Sequence, residues 1–145
     1  MSVFADTSAV VKLYADEASS EVIRALDAMF VSQLCRVEFP APLWRKNRMD
    51  TLTAEDTQVL IRAIENDMFR PVGPLVPIRI TAGTIDDAAS LTAAHGLRPY
   101  DAVQLATARA GREIDLDCRT VAAFETELRV AAAREGFRLL PETIK

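Results

Sequence analysis

Short apolar runs that read as strands alternate along this chain with longer stretches that read as helices, and no other feature limits its fold as strongly. Residues 2–5 form a strand-like run that stops at Asp6-Thr7-Ser8, after which apolar residues follow at helical spacing. Val22, Ile23, Leu26, Met29 and Phe30 mark one face of a second helix, and Phe30-Val31-Ser32 reads as the next strand. Residues 34–49 read as helical, with Pro40 and Pro42 either in the first turn of a helix that begins near Phe39 or at a kink. Thr53 with Asp56 is a capping pattern ahead of a helix stripe of Val59, Leu60, Ala63, Ile64 and Met68. Residues 71–77 are a proline-rich loop, 76–80 a strand candidate, and the helix through Ile85, Ala88, Ala89 and Thr92 ends at Gly96. Residues 101–110 are apolar on nearly all sides, as in a helix buried inside a domain. A strand at 121–124, a helix at 125–135 closed by Gly136, and a last strand at 137–140 complete the chain. This order predicts an α/β fold with a parallel or mostly parallel sheet covered by helices. In such sheets ligands bind beyond the carboxyl ends of the strands.

Composition sets the setting. With 145 residues, half of them apolar, the chain is expected to form a single domain, 1–145, whose core needs no disulfide or metal staple. Cys35 and Cys118 lie far from each other and from the single histidine, His95, so neither a zinc site nor a disulfide framework is suggested. The longest apolar runs are a handful of residues, far short of the roughly 20 that a membrane span requires. No membrane is expected, and with no leader pattern at Met1 the expected location is cytoplasmic. The formal charge of -4 argues against binding nucleic acid through a broad basic surface. It leaves open a nucleic-acid enzyme whose acids gather divalent metals, because the metals restore positive charge where a phosphate sits.

Four carboxylates fall where that chemistry would need them. Asp6 follows the first strand, Glu38 comes shortly after the second, Asp101 opens the buried helix, and Glu125 follows the strand candidate at 121–124. Hard oxygen ligands converging on one edge of a sheet hold Mg²⁺ or Mn²⁺. Each acid also fits an ordinary role: Asp6 as a turn or cap residue, Glu38 as a solvated helix glutamate, Asp101 and Glu125 as first-turn acids against the helix dipole. Singly, none identifies an enzyme. His95 reads as a favourable helix-end residue and Trp44 as a packing residue, while Gln104 and Cys35 fall near the edge of the expected cleft. Lys12, Arg36, Arg98 and Arg119 lie near the acids in sequence, either as phosphate contacts or as solvated charges.

The words around these acids resemble one family. Ser2-Val3-Phe4-Ala5-Asp6-Thr7-Ser8-Ala9-Val10-Val11-Lys12-Leu13-Tyr14 is similar to the opening of a PIN-domain protein. Arg98-Pro99-Tyr100-Asp101-Ala102-Val103-Gln104-Leu105-Ala106-Thr107-Ala108 resembles its second aspartate motif, and residues 124–137 its closing segment. The match spans nearly the whole chain and is nearest to the VapC-type ribonuclease toxins of toxin-antitoxin operons. The resemblance implies a PIN-like three-layer α/β/α sandwich with a short, mostly parallel central sheet. It implies Asp6, Glu38, Asp101 and Glu125 as catalytic metal-site carboxylates for Mg²⁺, with Mn²⁺ as a substitute. It further implies an RNA substrate cut to 5'-phosphate and 3'-hydroxyl ends, a homodimer, and a cognate antitoxin.

The chain departs from the family at the fourth acid. An aspartate two residues after Thr or Ser is common there, whereas this chain has Ala123-Phe124-Glu125; Asp115 and Asp117 are the nearby alternatives. Ser8 matches the hydroxyl of the opening motif, as a hydrogen-bond partner of a ligand carboxylate or as a cap. Two other functions stand beside the nuclease. The changed fourth position motivates a PIN-like binding or regulatory module with little catalysis. An aspartyl-phosphate phosphotransferase would use Asp6 as nucleophile, but such enzymes place a second aspartate where this chain has Ser8.

Overall fold

A computed structural model describes residues 1–144. Strands β1 (Ser2–Ala5), β2 (Met29–Ser32), β3 (Leu75–Ile78), β4 (Cys118–Ala122) and β5 (Arg138–Leu140) form one sheet in the order β3-β2-β1-β4-β5. Every neighbouring pair is parallel. The helices are α1 (Thr7–Tyr14), α2 (Ser20–Arg24), α3 (Cys35–Glu38), α4 (Pro40–Arg48), α5 (Ala54–Phe69), α6 (Ala82–His95), α7 (Pro99–Ile114) and α8 (Thr126–Arg134).

Strand alternation divides the apolar residues between two layers of helix. Val3 and Ala5 of β1, Met29 and Val31 of β2 and Leu75 of β3 pack with Val10, Ile23, Phe39, Ile64 and Met68. Phe4, Ile78 and Val121, pointing the other way, pack with Leu91, Leu105 and Leu128 of α6, α7 and α8. This is the expected three-layer α/β/α sandwich, and its sheet is parallel throughout. Helix α7 crosses the sheet on a small-residue surface: Ala102, Ala106, Ala108 and Gly111 are all buried. A Cβ on Gly111 would stand 3.0 Å from Ile78 Cδ1, so the side chain is missing where the helix comes closest to β3.

Several boundaries differ from the sequence reading. Met29 and Phe30 do not belong to the second helix, because α2 stops at Arg24 and both residues sit in β2, paired with Leu75 and with Phe4 and Val76. Their helical spacing is a coincidence across an element boundary, overridden by pairing on both sides of β2. The segment 34–49 is helical from Cys35. It passes Phe39 in helical conformation (φ -71°, ψ -50°) and restarts at Pro40, which occupies the first position of α4, where a missing N–H costs least. Strand β3 contains Pro77, which is tolerated because β3 is an edge strand. Met29 N and Gln33 N bond to Pro74 O and Ile78 O, so the Pro77 nitrogen points away from the sheet. Strand β4 occupies Cys118–Ala122 rather than 121–124, leaving residues 123–125 as a loop.

Candidate active site

The chain runs outward from β1 through β2 to β3, then returns to place β4 and β5 on the other side of β1. The gap between β1 and β4 is therefore a topological switch point, where connections leave the sheet in opposite directions and open a crevice. Asp6 lies at its mouth. Its backbone N–H extends the ladder to Ala122 O at 2.9 Å, while the residue caps α1 with its side chain, which accepts from Ser8 N at 3.2 Å and Ser8 Oγ at 2.6 Å. Both bonds fall on Oδ2. Ser8 Oγ also accepts from Phe124 N at 3.0 Å and so ties α1 to the loop that carries Glu125.

The other acids arrive from three further elements. Glu38 is the last residue of α3, and its Oε1 accepts from Thr7 Oγ1 at 3.1 Å and from Gln104 Nε2 at 2.7 Å. Asp101 is half-buried in the first turn of α7, which begins at Pro99 and not at Asp101 itself. Glu125 is exposed at the N-cap of α8, where its side chain makes no capping bond. All four carboxylates line one cleft of about 660 Å³ together with Thr7, Ser8, Val11, Pro42, Arg98, Pro99 and Tyr100.

Burial pushes the Asp6 carboxyl up to about 6, with the charges of Glu38 and Asp101 adding to the rise and the Ser8 hydrogen bonds opposing it. Asp101 is raised as well, first by burial and then by Glu125, against the pull of Arg98. These acids repel one another, and among the described residues none of the four has a salt-bridge partner. The donor set is all oxygen, as Mg²⁺ and Mn²⁺ require. Among the described residues no three acids, histidines or cysteines already stand close enough to make a closed metal cage.

The remaining sequence candidates separate by place. Asp115 accepts from Ser2 Oγ, at the start of β1, so Asp115 and Asp117 lie at the opposite end of the sheet from Asp6 and cannot replace Glu125. Cys35 and Gln104 do not line the cleft. They are fully buried behind it, at 0% and 1% exposure, and burial pushes the Cys35 thiol up to about 12. Lys12 is buried, paired with Glu17 at 3.1 Å and set over the Phe124 ring. Arg36 lies 3.8 Å from Glu65, and Arg119 binds Leu116 O beside the start of β4. Only Arg98 of these cations lines the cleft. His95 pairs with Glu135, and Trp44 is half-buried on α4. Tyr100, exposed on the cleft wall, was not singled out by the sequence, nor was Arg129. Arg129 is buried and donates to Ala123 O, Pro141 O and Glu142 O, which braces the loop before Glu125.

Comparison with known proteins bears on the family and the fold. A PIN domain matches residues 3–134. Ribonuclease VapC45 and Ribonuclease VapC49, from two strains of Mycobacterium tuberculosis, CDC 1551 / Oshkosh and ATCC 25618 / H37Rv, are each 33% identical to the chain over 143 residues, covering 96% of it and 94% of their own length. The crystal structure of FitAcB from Neisseria gonorrhoeae superposes with a TM-score of 0.61 at 18% identity, over 92% of this chain and 94% of that one, and shares the fold. On the family match and on these two relatives, the chain belongs to the PIN-domain family.

Proposed function

We propose that the protein is a metal-dependent endoribonuclease and the toxin of a toxin-antitoxin pair. The observation that carries this reading is the meeting of Asp6, Glu38, Asp101 and Glu125, from four separate elements, in one cleft at the switch point. The similarity to two proteins named as ribonucleases supports it.

In this reading Asp6, Glu38 and Asp101 hold the metal and Glu125 completes the site, directly or through water. When bound, Mg²⁺ or Mn²⁺ supplies Lewis acidity toward a phosphodiester and lowers the pKa of a water. Ser8 holds Asp6 Oδ2, which leaves Oδ1 for the cleft. Arg98 stands on the wall where a neighbouring RNA phosphate would pass. Water attacking phosphorus in line with departure of the 3'-oxygen leaves 5'-phosphate and 3'-hydroxyl ends. Glu125 reaches one methylene further than the usual aspartate, which favours a water-bridged role. A cognate antitoxin, a homodimer and a cytoplasmic location belong to the same proposal. No helix among the described residues is long and apolar enough to cross a membrane.

The test is cleavage of total cellular RNA by purified, antitoxin-free protein with Mg²⁺, Mn²⁺ or EDTA, beside Asp101→Asn, with the ends mapped. Discrete 5'-phosphate cuts that need both metal and Asp101 are expected. Folded protein that cuts nothing under any metal would favour the binding module, a reading motivated by the exposed, unconstrained Glu125.

A further inference from the structure

At the wall of the cleft, Thr7, Glu38 and the buried Gln104 behind them close a ring of hydrogen bonds around one oxygen of Glu38. Gln104 Nε2 donates to Glu38 Oε1 at 2.7 Å and to Thr7 Oγ1 at 3.1 Å, and Thr7 Oγ1 donates its own proton to the same Oε1 at 3.1 Å. The amide can face only one way, since turning it over would set its oxygen against a carboxylate oxygen. Gln104 is 1% exposed, and its Oε1 is buried with no hydrogen-bond partner among the described residues. An unpartnered buried acceptor is costly, and among the buried residues of α7 the other polar one, Thr107, has its hydroxyl satisfied by Ser32 and Val103 O, whereas the Gln104 oxygen does not. A core position chosen for stability alone would carry leucine or methionine there. What the glutamine does and they cannot is donate twice, toward Glu38 and toward the hydroxyl that also serves Glu38.

We infer that Gln104 and Thr7 are positioning residues of the cleft, which fix the rotamer of Glu38 by holding Oε1 and so present Oε2 as its ligand oxygen. The inference rests on the reading of Glu38 as a metal ligand. Partners that orient a ligand from behind typically change metal affinity by about 10–100-fold when removed. Gln104→Met keeps the length of the side chain and removes both donors and the orphan acceptor. Thr7→Val is isosteric and removes the hydroxyl.

The experiment is calorimetric titration of the full chain with Mn²⁺, for wild type, Glu38→Gln, Gln104→Met, Thr7→Val and the double variant Gln104→Met/Glu38→Gln, beside metal-free thermal melts. Wild type binds, Glu38→Gln weakens binding, and Gln104→Met weakens it by about 10–100-fold while its metal-free melting temperature holds or rises. The double variant binds no more weakly than Glu38→Gln alone, because Gln104 acts through Glu38. A merely structural glutamine would give the opposite pair of results, a lower melting temperature with unchanged Mn²⁺ affinity, and that overturns the inference. So does an additive loss in the double variant. Should Gln104→Met fail to fold, Thr7→Val carries the test, and wild-type affinity in it is fatal. Wild type that binds no Mn²⁺, or Glu38→Gln that binds like wild type, overturns the ligand reading of Glu38 itself and the inference with it; the first two titrations separate that failure from a failure of Gln104 alone.

Discussion

Asp6 carries two duties on one carboxylate. Its Oδ2 caps α1 through Ser8, and its charge is stranded in a buried cleft beside Glu38 and Asp101. These duties respond differently to substitution, since asparagine caps a helix as well as aspartate but carries no charge. The Asp6 carboxyl is raised from 3.8 to about 6 on folding, so between those values the folded chain holds a proton that the unfolded chain releases. Below 3.8 the group costs nothing; the burden on the metal-free fold grows as pH rises from 3.8 and is complete above about 6. Asp6→Asn is therefore expected to stabilise the metal-free protein at neutral pH by on the order of 2–3 kcal/mol and to change it little at acid pH. Urea unfolding in EDTA at about pH 4 and about pH 7.5 measures this; equal effects at both would mean that Asp6 is not strained by its charge. The same variant is expected to lose metal binding, measured by Mn²⁺ titration. Sequence alone marked Asp6 as cap or ligand; the structure shows the cap falling on Oδ2, which leaves Oδ1 for the proposed ligand role. Gln104 was legible from the sequence as a residue near the cleft edge, but not as a hydrogen-bond partner of Glu38, 66 positions away.

At the scale of elements, the helices on the α7 side of the sheet are joined by a polar clasp. Glu135, just past α8, pairs with His95 at the end of α6 at 3.0 Å and with Arg109 of α7, which also reaches Asp87 of α6 at 2.9 Å. The Glu135 carbonyl accepts from Arg112 at 3.0 Å. Burial alone would raise the Glu135 carboxyl, but the His95 hydrogen bond and the Arg109 charge outweigh it and hold the group below the usual carboxylate range. The stability this adds is complete above the unfolded value and fades as pH falls through the folded one. Glu135→Gln is expected to cost about 1–3 kcal/mol at neutral pH, a penalty that shrinks in acid as the wild-type carboxyl protonates. A penalty constant across that range, in parallel urea melts, would assign it to packing instead. The elements were mostly legible from periodicity because β1, β2 and β4 carry buried residues on both faces while α5 and α6 each present one buried stripe. Periodicity failed at residues 22–30, where a five-residue helix and a four-residue strand are each too short to impose a period and strand pairing decides.

For the whole molecule, the order of strands does what no single motif can. Asp6 and Glu125 are 119 positions apart, yet the return of the chain to lay β4 beside β1 puts both at one crevice. Asp6 and Glu125 could be named from the sequence because they follow strand-like runs and Asp101 because it opens a buried helix, with the resemblance of the words around them joining the set. The pairing that unites them, and the exclusion of Asp115 to the far end of the sheet, required the topology. The chain as a whole is acidic, at -4, and concentrates repulsion in the cleft, so the metal-free fold is poised to gain stability from a divalent cation. A ligand that binds only the native state stabilises it by about 2.7 kcal/mol at a hundred times its dissociation constant. For a domain of this size that is on the order of 10 °C in melting temperature. Mn²⁺ added at neutral pH is expected to raise the melting temperature of wild type by that order, and to leave Asp6→Asn, already relieved of its charge, nearly unmoved. NaCl at matched ionic strength separates specific binding from general screening, which the buried Asp6 would scarcely feel. A rise that persists undiminished in Asp6→Asn would place the cation elsewhere on the acidic surface and remove the cleft from its role as the metal site.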